Sequence, residues 1–221
     1  MGLLDSLLGR NHRQPPINID EVYDVTIRDE LEPRLLSHNT KLTNAIQDFL
    51  DHGDPERRLI FIFEEARKNE PDYHVPYYWC ALCNMKRRNY PAAMTILSEG
   101  IEKCKVKSVL CRELAECHFC MEDLEKSIYW FCTSIMAGDQ TDFNPYLFIG
   151  YMGDAWGMND AAWWARRRAR GISYTMSGAA TEYIGSDRDR IMALASKKKT
   201  DQAVKMLETF YLHASRKLGN L

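Results

Sequence analysis

The sequence has no excess of charge of either sign, no long apolar run and no short catalytic signature. Its 29 Lys and Arg against 31 Asp and Glu give a formal net charge of -2, and the pI is about 6.3. No global field therefore draws it towards nucleic acid, which is excluded as an expected partner. No apolar stretch approaches the roughly 20 residues a spanning helix needs, which excludes integral membrane association. A Gly-rich phosphate loop, an HExxH pair and a nucleophile elbow are all missing, as is any carboxylate pair in a setting that would shift its pKa. The expectation is a protein that is not an enzyme and uses no cofactor. Glu64-Glu65 and Glu113 with Glu116 read as surface charges. Seven cysteines, an odd number without a secretory signal, point to a reducing compartment and a cytoplasmic location.

What the sequence does have is a period. Tyr77-x2-Cys80-Ala81 leads to Asn89-Tyr90 and then Ala93-x3-Leu97-x2-Gly100. Cys111-x2-Leu114-Ala115 leads to Asp123-Leu124 and then Ser127-x3-Phe131-x2-Ser134, with matching positions 34 residues on. A third copy, Tyr146-x2-Ile149-Gly150, Gly157-Met158-Asn159 and Ala162-x3-Arg166-x2-Ala169, is displaced by 35 because the loop around Ala137 to Asn144 holds one more residue. Small residues at Ala81, Ala115 and Gly150, and at Ala93, Ser127 and Ala162, let two helices approach closely, while the large residues fill the gaps between hairpins. The order of residue types and the 34-residue period resemble the tetratricopeptide repeat. That resemblance implies an all-α fold, an α-solenoid of antiparallel helix hairpins wound as a right-handed superhelix. Arg166 departs from the pattern, standing where a large apolar residue usually packs.

Taken in order, residues 1–39 hold an amphipathic segment, a linker and a short helix. Leu3, Leu4, Leu7 and Leu8 make one apolar stripe, too short to be a stable helix unless covered, and a candidate for self-association through residues 1–10. Gly2 with Ser6 also matches the minimal myristoylation pattern. Asn11 to Asn18 is a polar linker, and Thr26 to Leu36 a short helix interrupted near Pro33. Residues 40–176 are the repeats, about four hairpins. The first is degenerate: Leu42, Ala45, Ile46 and Leu50 form a helical face, Asp54-Pro55 opens the second helix, and Leu59, Phe63 and Ala66 lead to Pro71. Asn89, Asn159 and Thr200 are candidate caps of second helices, and Asn144-Pro145 opens the fourth hairpin. Gly171 to Gly185 reads as a longer connection. Residues 177–221 are a degenerate or capping hairpin in which Ala203, Leu207 and Phe210 continue the second-helix pattern.

Two constellations invite chemistry. Cys80-x2-Cys83 and Cys117-x2-Cys120 look like a four-thiolate zinc site or a redox pair. The repeat gives them another reading: Cys83 and Cys117 occupy one repeat position, both pairs fall mid-helix, and helix-packing thiols without metal are expected. Arg166, Arg167, Arg168 and Arg170, with Lys197 to Lys199, could grip phosphates or an acidic partner. A solvated helix face is the preferred reading, with the adjacent Trp163 and Trp164 in the packing.

The resemblance and the missing catalytic motifs together imply a non-catalytic protein-interaction scaffold or chaperone-like adaptor that binds a peptide or protein segment. A metal-binding or redox module, and a membrane-peripheral adaptor anchored by the leucine stripe, stand as alternatives. In the family resembled, the first helix of each hairpin lines a concave groove. Carried onto this chain, the groove positions are Asn44 and Asp48, then Tyr78, Leu82, Met85 and Lys86, then Arg112, Glu116 and Phe119, then Asn144, Leu147, Tyr151 and Asp154. The set lacks the clustered cations that clamp a chaperone's C-terminal carboxylate in that family. Tyr78, Arg112 and Tyr151, expected to face solvent in the free protein, form its anticipated energetic centre.

Overall fold

The computed structural model describes residues 39–53, 57–138, 143–175 and 185–218. The N-terminal stripe, the linker, the helix expected within Thr26 to Leu36 and the Asp54-Pro55 start lie outside them. The described residues form ten α-helices and no strands, an all-α architecture consistent with a helical repeat.

The helices follow in five sequence pairs, and the members of the first, second and fourth pairs pack on each other. The pairs are α1 (Thr40–His52) with α2 (Arg58–Asn69), α3 (His74–Lys86) with α4 (Tyr90–Lys103), and α5 (Ser108–Cys120) with α6 (Leu124–Met136). After these come α7 (Phe143–Ala155) with α8 (Asn159–Thr175), and α9 (Gly185–Lys197) with α10 (Asp201–Leu218). The first helices begin at Thr40, His74, Ser108 and Phe143, so the 34, 34 and 35-residue steps of the sequence are also steps of the backbone.

The turn inside the hairpins repeats as well. Arg88, Glu122 and Gly157 all sit in the left-handed region, at φ 58°, 61° and 73°. The next residue's N–H reaches back five positions each time: Asn89 to the Asn84 carbonyl, Asp123 to that of His118 and Met158 to that of Gly153, at 2.9, 2.9 and 2.8 Å. This is a Schellman closure, which satisfies helix-end carbonyls that water would otherwise have to reach. Only the third copy has glycine at the left-handed residue. Arg88 and Glu122 hold the geometry despite their Cβ atoms, because the following helix is already fixed by packing.

Caps differ from the sequence expectation. Asn89 precedes α4, but its side chain makes no capping hydrogen bond; Asn159 is the first residue inside α8, whose Ala162 N–H donates to the Met158 carbonyl. Thr200 does cap, its Oγ1 accepting from the Ala203 N–H at 3.2 Å. Asn39 Oδ1 accepts from the N–H groups of Lys41 and Leu42 at the start of α1. The connection expected after Arg170 is shorter than its composition suggests, since α8 continues to Thr175 and α9 begins at Gly185.

The described chain divides after Trp130 into two compact units. In the first, α3 packs against α2, α4 and α5, and α4 against α5. Tyr77 donates its hydroxyl to the Pro71 carbonyl at 2.9 Å, and Arg67 joins α2 to α4 through Glu99 at 2.9 Å. Every small residue of the pattern is buried: Ala81, Ala93, Ala115 and Ser127 here. In the second unit Gly150 and Gly153 bring α7 onto Ala162 and Ala165 of α8, α9 packs on α7, and α10 on α8. Trp156 Nε1 donates to the Ala195 carbonyl at 2.8 Å, tying the end of α9 to the α7–α8 turn. Trp164 is buried among Tyr146, Phe210 and Tyr211.

Gly100 is the tightest point. A Cβ there would stand 2.9 Å from Tyr77 Cγ and from Leu110 Cδ1; Tyr77 is held at both ends, so its ring root cannot swing away. Gly100→Ala should therefore destabilise the chain by about 1–3 kcal/mol, despite alanine's better helix propensity. Denaturant titration of the variant checks this, and a stability gain would mean the hairpin can spread freely.

Candidate functional site

The candidate site is the face that α3 and α5 build in the first unit. Residues 34 apart occupy equivalent places on it: Tyr78 and Arg112, Leu82 and Glu116, Met85 and Phe119. The expected exposure is not met at three of these. Tyr78 and Phe119 are buried, and Arg112 is only 1% exposed. Leu82, Met85 and Glu116 are half-buried, and Lys86 is exposed. In α1, Asn44 is exposed and Asp48 half-buried, receiving Arg58 Nη2 at 2.6 Å and meeting His52 Nδ1 at 3.1 Å. In the second unit Asn144, Leu147, Tyr151 and Asp154 are half-buried on α7; Asp154 accepts from Arg166 of α8.

The physical reason for the correction is that α3 and α5 are covered over most of their girth. Their buried residues, from His74 to Asn84 and from Ser108 to Phe119, leave no continuous polar stripe, and only Leu82, Met85, Lys86, Glu116 and Cys120 remain half-buried or exposed. A guanidinium in that setting must be neutralised. Glu113 does so: its Oε1 accepts from Arg112 Nη2 at 2.6 Å and Nε at 3.1 Å, and it is itself 4% exposed. Neighbouring side chains on a helix ordinarily diverge, so this pair is held by its surroundings. Glu113 is thus not a surface charge. The repeat carried the signal, because its equivalent 34 residues earlier is Trp79, another buried large residue. Glu116 and Glu64 are half-buried and Glu65 is exposed, paired with Lys41 at 2.7 Å.

At the edge of this face the α5–α6 turn carries a second polar cluster. Asp123 accepts from Lys126 Nζ at 3.1 Å and lies 3.5 Å from buried His118 Nδ1. The hydrogen bond from His118, with help from Lys126, holds its carboxyl down at about 2. The Lys126 backbone N–H also donates to Asp123 Oδ1 at 3.4 Å, so the cluster fixes the turn.

The cysteines are packing groups in this structure. Cys80, Cys83, Cys104, Cys111, Cys117 and Cys132 are buried and Cys120 half-buried, all as free thiols. Burial pushes Cys80 and Cys104 up to about 12, and raises Cys117 and Cys132 as well. Thiol redox chemistry needs the thiolate, which this environment disfavours. Among the described residues no three His, Cys, Asp or Glu side chains gather as metal ligands would, and no helix is long and apolar enough to cross a membrane.

The basic run splits into separate fates. Arg166 binds Asp154 and covers Gly150 with its stem, which is how a charged residue fills an apolar repeat position. Lys199 Nζ donates to the Trp156 carbonyl at 3.3 Å. Trp164 is in the core as expected, whereas Trp163 is 52% exposed. A cleft of about 230 Å³ between α1 and α2 is lined by Asn39, Lys41, Leu42 and Glu65 among others; it is smaller than ordinary small-molecule sites. Comparison with protein-family models, with characterised proteins and with solved structures finds no match for this chain.

Proposed function

We propose that this protein is a non-catalytic scaffold of the tetratricopeptide kind, holding a protein segment on the face built by α3 and α5. The observation that carries the reading is the 34-residue equivalence of Tyr78 with Arg112, Leu82 with Glu116 and Met85 with Phe119. A repeated face suits an extended or helical ligand, which presents its side chains at regular intervals. Half-buried Leu82 and Met85 beside exposed Lys86 offer apolar anchors with a charged margin, the composition of an interface centre and its rim. The buried Arg112–Glu113 pair, on α5, supports that face from within the packing. Burial of Cys80, Cys83 and Cys117 inside helix packing favours this reading over a redox module.

Burial changes how the proposal must be tested. Tyr78 and Arg112 support the fold, so their truncation would lower stability and binding together. Leu82 and Met85 are the informative positions. A photo-crosslinking residue at Met85 should capture a segment that the same residue at exposed Phe61 on α2 does not. Leu82→Ala and Met85→Ala should then weaken that segment's binding by roughly 1–3 kcal/mol each, with unfolding midpoints little changed. Equal capture at Phe61, or unaltered affinity in both variants, would place the interaction elsewhere.

A further inference from the structure

The exposed face of α8, in the second unit, carries a group that the α3–α5 reading neither uses nor requires. Trp163, Arg167 and Arg170 stand at helical positions i, i+4 and i+7, which fall on one side of an α-helix. All three are exposed. The Arg167 guanidinium carbon lies 5.1 Å from the centroid of the Trp163 ring. The opposite side of the helix is buried through Ala161, Ala162, Trp164, Ala165 and Ala169, so this face is not needed for packing.

We infer that the Trp163–Arg167–Arg170 face is a docking surface for an acidic protein segment. Charge complementarity is the first argument. Arg166 is already matched by Asp154, whereas among the described residues no carboxylate pairs with Arg167 or Arg170. Like charges three residues apart on one helix repel, and an anionic partner relieves that repulsion. Asp160, on the same side, is seven residues from Arg167, roughly 10 Å along the axis, too far to do so.

Preorganisation is the second. A guanidinium stacked on an indole has already lost much of its rotamer freedom. Its N–H edge remains available for a bidentate carboxylate. The ring supplies an apolar surface beside it, and Trp and Arg are the side chains that most often dominate interfaces.

The other anionic surfaces fit less well. Binding to nucleic acid rests on many phosphate contacts, and this face offers two guanidiniums on a chain of net charge -2. An interfacial helix needs a broad apolar face, and here Trp163 is flanked by Asn159 and Asp160.

The test uses the full chain and a fluorescent peptide of about fourteen residues, rich in Glu with interspersed Leu, measured by anisotropy. Arg167→Gln and Arg170→Gln should each weaken binding roughly tenfold, and Trp163→Ala somewhat less. Affinity should fall as salt rises, and the same peptide with Gln for Glu should not bind at the same concentrations. Helicity and melting of all three variants should match the parent, since the substituted side chains are exposed. Unchanged affinity in both arginine variants would overturn the proposal, as would equal binding of the Gln peptide. Retention of the chain by phosphatidylglycerol vesicles or single-stranded RNA through these arginines, without binding of the acidic peptide, would assign the face to that other class and equally overturn it.

Discussion

Glu113→Ala is expected to lower the unfolding free energy by about 3–5 kcal/mol, the cost of leaving a buried charge without its counter-ion. Arg112 is 1% exposed and Glu113 4%, at a distance of 2.6 Å, so water cannot move in to replace the carboxylate without opening α5. The double change Arg112→Met with Glu113→Leu should recover much of the loss, because it removes both charges and keeps apolar volume. Denaturant titration of Arg112→Met, Glu113→Leu and their double, at an unchanged m-value, gives the coupling directly. A loss under about 1 kcal/mol for Glu113→Ala would show that the guanidinium is stabilised without Glu113. The pair bears on function through position: Arg112 stands at the place equivalent to Tyr78 on the proposed face, so its orientation helps shape that face.

The second large effect is a loss of stability in mild acid. Burial holds His74 at about 4, against an ordinary value of 6.5, and its Nε2 has no hydrogen-bond partner among the described residues. The folded chain therefore keeps His74 neutral while the unfolded chain takes up a proton below pH 6.5. Stability contributed by this difference is intact above pH 6.5 and falls as pH drops towards 4, by on the order of 3 kcal/mol in total. His74→Leu should flatten that part of the pH profile. Asp123, held at about 2 chiefly by His118, acts in a lower window, with its stabilisation lost as pH falls from about 3.8 towards 2. Equilibrium unfolding at intervals between pH 7 and 2 separates the two, His74 acting above pH 4 and Asp123 below it. An unchanged slope in His74→Leu would mean that His74 protonates in the folded state at no cost.

The period itself was fully legible in the sequence, because close helix approach demands small residues and leaves a recurrent trace. Ala81, Ala93, Ala115, Ser127, Gly150 and Ala162 are all buried where the pattern places them, and helix starts follow its 34 and 35-residue steps. The same logic fixed Leu42, Leu59, Phe63, Ala203, Leu207 and Phe210 in the core, since each lies on the apolar side of a helix of known phase. What residue type could not decide was the burial of polar residues, for which the repeat position of Glu113, equivalent to Trp79, was the one trace. Glu113 and Arg112 carry charge, and their types alone argue for solvent; only the packing around α5 places them together inside. Trp163 is the mirror case, an aromatic residue that composition assigns to the core and α8's orientation turns outward, while its neighbour Trp164 faces in. One residue is a 100° rotation on a helix, enough on the half-covered α8 to turn Trp163 to solvent and Trp164 to the core. Local sequence determined which segments are helices and at what interval. The choice of which face meets protein and which meets water was made by the neighbouring helices, because burial depends on everything that surrounds a side chain and not on the side chain itself.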